Sequence, residues 1–261
     1  MVLAIDIGNT HIVLGVFKNN KLGHTWRIHT KESMTEDEYF VLIDIFFKEA
    51  KIKKKEIKGI VISSVVPPLE YLFNKLAFKF FNIKPLILSA GIKTGLAIRT
   101  DNPKEVGADL IAGAVGAFNK YKQALIIVDT GTATTVTAIS SKGEFLGVAI
   151  APGIMLALEA LHSRASKLPK VELYYPEKAI GKNTRDSMIS GVYFGALGQI
   201  ERIVKEIKNE MREDKVLVLG TGGVLKFFEN KLQCIDRIEH DLVLEGLYYI
   251  YLKNKGFFGK I

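Results

Sequence analysis

The chain has 261 residues, 48% of them hydrophobic and 25% charged, and a net charge of +8. That composition suits a globular protein able to bury a sizeable core, and no apolar run reaches the roughly 18 residues of a membrane span. The opening stretch MVLAIDIGNT lacks the basic region of a secretory signal, and Cys234, the only cysteine, excludes an intramolecular disulfide; both fit a cytoplasmic setting.

The first elements expected are strands at 2–7 (VLAIDI) and 12–17 (IVLGVF), flanking the polar loop GNTH, then a strand over about 22–29. Thr35 and Glu38 make a capping box, and Tyr39, Leu42, Ile43, Phe46 and Phe47 form the apolar stripe of the helix that follows. The lysine-rich stretch 51–58 reads as a helix end and loop. The apolar strand GIVISSV (59–65) is stopped by Pro67 and Pro68, a helix carrying Leu69, Leu72, Phe73, Leu76 and Phe80 comes next, and a short strand, PLILS (85–89), ends the half. A linking helix near 105–121 leads to strands at 124–130, 133–140 and 143–151 and to helical segments over about 152–165 and 182–212. A strand at 215–219, a helix at 222–230, a weak strand near 235 and a last helix at 241–253 complete the chain.

The order strand, strand, strand, helix, strand, helix, strand is expected twice. AIDIGNT (4–10) and IVDTGTATT (127–135) open the two copies with the same pattern of apolar strand, Asp, any residue, Gly, and then Asn or Thr. Asp6 and Asp129 are 129 − 6 = 123 residues apart, close to half the chain. The repeat predicts two similar α/β lobes, at 1–115 and 116–261, facing a cleft of the kind that commonly holds a ligand.

In Asp6-Ile7-Gly8-Asn9-Thr10 a strand ends in a carboxylate and turns tightly. Gly8 admits a ligand without a Cβ in the way, Asn9 and Thr10 add donors to the exposed N–H groups of a phosphate-cradling turn, and Asp6 can hold magnesium, directly or through water. His11 stands in the same loop. A single copy would read equally well as a plain hairpin, for which Asn and Gly are favoured; two copies in matching places favour the ligand site. In the second copy Thr132 is placed to meet phosphates and Asp129 a cation, while Thr135 is a β-branched strand residue. Gly220 and Gly222 belong to a third turn, Gly-Thr-Gly-Gly, read as opening a helix whose N–H groups can contact a nucleotide; a sharp strand-to-helix turn explains it as well. Neither a G-x-x-x-x-G-K-[ST] loop nor a G-x-G-x-x-G turn after the first strand is present, and no histidine or cysteine cluster suggests a zinc site. The basic residues are scattered without interleaved aromatics, so neither nucleic acid nor a membrane is expected as a partner.

DIGNT (6–10), VGAD (106–109), DTGTATT (129–135), GVAIAPGI (147–154), GKNT (181–184), SGxxxGxxxxI (190–200) and LGTGG (219–223) resemble, in order and over nearly the whole chain, the motifs of type III pantothenate kinases, a family that includes proteins first called Bvg accessory factors. The resemblance implies the duplicated ribonuclease H-like fold of the actin-like ATPase superfamily. It also implies transfer of the ATP γ-phosphate to pantothenate, the first step of coenzyme A synthesis. Carried over by motif, Asp109 is the general base, and Asp6, Gly8, Asn9, Thr10, His11, Thr132, Gly220 and Gly222 belong to the ATP site. Asp129 binds a monovalent cation such as potassium or ammonium, and Asp6 serves magnesium. Gly107, Ala108 and Thr184 serve pantothenate, together with positions 100 and 110. By the residues alone, Asp109 reads equally as an acid favoured in the first turn of a helix. The 190–200 segment resembles the family's homodimer interface; its spacing of Gly191 and Gly195 also suits packing within one chain.

Two positions depart from the family pattern. Leu110 stands where an arginine is usual, and Thr100 where a tyrosine is common. Loss of an arginine that pairs with a carboxylate weakens binding, and Arg99 is a candidate replacement. The departures leave two alternatives open: a related kinase with a shifted acceptor, and a nucleotide-binding regulator without catalysis.

Overall fold

The computed structural model describes residues 1–228 and 231–256. The chain divides into two compact units, one comprising Met1–Tyr121 with the C-terminal stretch that begins at Asp241, the other Lys122–His240.

The first unit contains β1 (Val2–Ile7), β2 (His11–Lys18), β3 (Lys21–His29), α1 (Glu36–Glu49), β4 (Gly59–Ser64), α2 (Pro67–Leu76), the short strands β5 (Leu86–Ile87) and β6 (Ala97–Ile98), and α3 (Ala108–Tyr121). Its sheet has the order β3-β2-β1-β4-β5, with β1 antiparallel to β2 and parallel to β4. Period-two alternation divides β1 between two layers. Leu3, Ile5 and Ile7 pack with Tyr39, Ile43 and Phe47 of α1 and with Leu69 and Phe73 of α2. Ala4 and Val61 meet Ala112 and Val115 of α3 on the opposite face. The Thr35–Glu38 capping box starts α1 as expected. Pro67 and Pro68 sit in the first turn of α2, where a missing N–H costs nothing.

The second unit contains β7 (Leu125–Thr130), β8 (Ala133–Ile139), β9 (Glu144–Pro152), α4 (Ile154–Arg164), α5 (Thr184–Met211), β10 (Leu217–Thr221) and β11 (Arg237–Ile238). Five strands of the six-stranded second sheet run β11-β10-β7-β8-β9, with β7 antiparallel to β8 and parallel to β10. These five strands match the first sheet in order and direction. Ile126, Val128, Val136 and Val218 pack against Ile154 of α4 and Tyr193, Ile200 and Val204 of α5.

Two expectations need correcting. The helix expected at 222–230 is, among the described residues, only a 3-10 turn at Leu225–Phe227; residues 229 and 230 lie outside the described residues. Gly222 takes φ +100° and the Val224 N–H donates to the Thr130 carbonyl, so this segment is tied back to β7 instead of winding into a helix. The division expected at 115/116 falls inside α3, and the last helix, α6 (Leu242–Asn254), returns to the first unit. The cause is a close helix pair. A Cβ on Gly246 would lie 1.7 Å from the Ala112 carbonyl oxygen, and one on Gly116 would lie 2.2 Å from that of Leu242. Glycine therefore lets the backbones of α3 and α6 touch, and the pair covers the first sheet as one layer.

Candidate active site

Asp6 lies in β1 with Val13 beside it on one strand and Ser63 on the other. Ser63 is fully buried, and its hydroxyl donates to Asp6 Oδ1 at 2.5 Å. The turn that follows is closed by the Gly8 N–H donating to the His11 carbonyl at 3.0 Å. Thr30, the residue just after β3, braces it: its hydroxyl donates to the Gly8 carbonyl at 2.7 Å and its N–H to the Thr10 carbonyl at 3.0 Å. Asn9 and Thr10 are left exposed on a fixed backbone. His11 stands 5.0 Å from His29, ring centre to ring centre. Burial, then Arg27 and His29, lower its pKa below the ordinary histidine value.

The second unit repeats the device with changes. Asp129 pairs with Thr135 and with Thr221, so the parallel neighbour of the carboxylate is again a hydroxyl residue. Ile7 pairs with Ile12, leaving residues 8–11 in the first turn, whereas Thr130 pairs with Thr134, leaving only 131–133. The Gly131 N–H donates to the Ala133 carbonyl at 3.0 Å, and Thr132 projects exposed. Gly222 lies over this turn: a Cβ there would fall 2.4 Å from Asp129 Oδ1 and 2.6 Å from the Thr130 carbonyl oxygen. A side chain would fill that cradle, and positive φ disfavours one as well. Gly153, just ahead of α4, closes on Thr132 in the same way, with 2.4 Å from a Cβ to the Thr132 carbonyl oxygen.

The remaining candidates lie elsewhere within their units. Gly107, Ala108, Asp109 and Leu110 form the entry to α3, where the Leu110 N–H donates to Asp109 Oδ1 at 2.8 Å and a Cβ on Gly107 would lie 2.5 Å from that oxygen. Thr100 follows β6; its hydroxyl oxygen is buried and has no hydrogen-bond partner among the described residues. Thr184 is exposed at the start of α5, whose N-cap Asn183 accepts from the Asp186 N–H at 2.9 Å. Gly220 is buried, and a Cβ on it would meet Leu225 and Ile235 at 2.9 and 3.0 Å, so it packs against the apolar core of its unit. Ser63 and Thr30 were missed by the sequence reading. A serine in the otherwise apolar run GIVIS was the available signal for the first; nothing local marked the second.

A duplicated sheet of this order, with a carboxylate and a glycine turn at the same strand end of each copy, is the duplicated ribonuclease H-like fold of the actin-like ATPase superfamily. A family model for type III pantothenate kinase matches residues 2–206. The type III pantothenate kinase of Halalkalibacterium halodurans is 46% identical over 254 residues, covering 97% of this chain and all of that one. Among solved structures, a Campylobacter jejuni protein assigned to the Baf family of transcriptional activators shares the fold with TM-score 0.59 at 20% identity, over 97% of this chain and 99% of that one. A Sinorhizobium meliloti protein assigned as a 2-dehydro-3-deoxygalactonokinase does so with TM-score 0.57 at 11% identity, again over 97% and 99%. The chain belongs to the type III pantothenate kinase family, and is an ATP-using phosphotransferase.

Proposed function

We propose that this chain transfers the γ-phosphoryl group of ATP to the primary hydroxyl of pantothenate, giving 4′-phosphopantothenate and ADP, the first step of coenzyme A synthesis in the cytoplasm. Family membership over nearly the full chain is the observation that carries this reading. Phosphoryl transfer needs positioning and charge neutralisation more than covalent chemistry, and braced polar turns beside carboxylates suit both.

The N–H groups and side chains of Gly8, Asn9, Thr10 and His11 receive phosphate oxygens in this reading, and Thr132 does so from the second unit. Gly222 serves by leaving room over Asp129. Asp109 orients the acceptor hydroxyl and accepts its proton as the bond to phosphorus forms. Gly107, Ala108, Leu110, Thr100 and Thr184 are assigned to the acceptor. Asp129 and the Thr130 carbonyl, beside the Gly222 cradle, offer the oxygen donors that a monovalent cation takes. Asp6, oriented by Ser63, would hold magnesium, directly or through water. Either cation, when bound, neutralises phosphate charge.

Gly191, Gly195 and Phe194 lie exposed along α5, and among the described residues nothing beyond the helix's own neighbouring backbone stands within 4 Å of a Cβ on either glycine. This free, small-residue surface supports a homodimer through α5. The buried, unpartnered Thr100 hydroxyl favours one variation, in which the acceptor is held differently from the family pattern. Leu110→Arg should lower the pantothenate KM if the family geometry holds.

The decisive variant is Asp109→Asn. Turnover should fall by at least about 10²-fold, at the low end of what general-base catalysis contributes, while ATP binding measured by calorimetry stays within about twofold, since the base is assigned to the acceptor. Undiminished turnover would remove Asp109 from the mechanism.

A further inference from the structure

Asp6 pairs across the ladder with Val13, and Val13 with Arg27; His11 pairs with His29. Paired residues project to one face of a sheet, and residues two apart share it. Asp6, His11, Arg27 and His29 therefore occupy one face, the face on which Ala4 and Val13 pack toward α3 and α6. Arg27 and His29 are exposed at the end of β3, immediately before Thr30, the residue that braces the Gly8–Thr10 turn. Among the described residues, neither Arg27 nor His29 has a carboxylate within salt-bridge distance.

Arg27 lies diagonal to His11, and His29 directly opposite it. Basic groups facing one another across strands repel. Charged residues do protect exposed sheet edges, and β3 is an edge strand. That role, however, does not require basic groups to collect at the end beside a phosphate-type turn. A polyanion seated on the turn would relieve the repulsion and gain from it.

We propose that Arg27 and His29 form a second phosphate subsite beside the Gly8–Thr10 turn, with Arg27 binding the terminal phosphate of a nucleoside triphosphate. The proposal rests on the ATP-binding reading of that turn. Arginine's planar fork meets two phosphate oxygens at once, so the contact would help hold the group that is transferred. The contact exists with the triphosphate and is lost when ADP leaves.

The test uses the full chain and the variants Arg27→Ala, Arg27→Lys and His29→Ala, each checked for an unchanged melting temperature. Calorimetry measures Mg-ATP and Mg-ADP binding, and steady-state assays separate the KM for ATP from that for pantothenate. Arg27→Ala is expected to weaken ATP binding about tenfold, the scale of a charge-assisted contact, and to leave ADP binding and the pantothenate KM within about twofold, because the assigned contact is to the terminal phosphate alone. Arg27→Lys should recover part of the loss, and His29→Ala should show a smaller loss of the same selectivity. Unaltered ATP binding in Arg27→Ala would overturn the proposal. Equal weakening of ATP and ADP would also overturn it, pointing to general surface attraction, as would a raised pantothenate KM with ATP binding intact, pointing to the acceptor's carboxylate. Failure of the parent chain itself to bind ATP would instead sink the underlying nucleotide reading.

Discussion

Asp6 owes its orientation to Ser63, 57 residues further along the chain, through a hydrogen bond of 2.5 Å. The pairing could not be read locally, because only the parallel register of β1 and β4 brings the two together. His11 carries the clearest residue-scale prediction. Its folded pKa is lowered from 6.5, by burial first and by Arg27 and His29 next. A base with a depressed folded pKa resists protonation in the native state. The ligand-free protein should keep the associated stability above about pH 6.5 and lose it progressively as pH falls toward the folded value. Melting temperatures of the parent and of His11→Gln should keep a constant separation above pH 7 and diverge below it, with the parent losing more. A constant separation throughout would contradict the assignment.

Elements whose pattern is local were legible in advance. The capping box at Thr35, the apolar run VLAIDI and the prolines that stop the strand before α2 each specify a local element, and the structure places those elements as read. The candidate turns at 8–10 and 131–132 were legible for the same reason, as short motifs at the ends of apolar strands. Elements set by distant partners were not. The turn after Gly222 lost its expected helix to a hydrogen bond from Val224 to Thr130, more than 90 residues earlier in sequence. α6 was expected simply as a final helix at 241–253, with nothing to say that Gly246 would meet Ala112. That contact yields a prediction. Gly246→Ala gains about 1 kcal/mol of helix propensity, yet the added methyl overlaps a carbonyl, and forcing the helices apart costs about 1–3 kcal/mol or more. The net effect should be a lower melting temperature by a few degrees. A variant that melts higher than the parent would show that α3 and α6 have room to spare.

At the scale of the whole chain, duplication was legible because the Asp-x-Gly pattern recurs 123 residues on, and the five-strand order that the two sheets share bears out the repeat. The unit boundary was not legible, since α6 is separated by the entire second unit from the sheet it covers. Oligomeric state belongs to this scale too. Gly195→Glu places a charge opposite its own copy in a two-fold interface without crowding its own chain. Sedimentation should find the parent dimeric and this variant monomeric, with both folded; a variant that remains dimeric would remove α5 from the interface. The most direct test of the central claim is ADP release from Mg-ATP, measured with and without pantothenate, first in potassium and then in sodium buffer. The account predicts release that depends on pantothenate and is faster in potassium. ATP binding with no response to pantothenate in either buffer would contradict it.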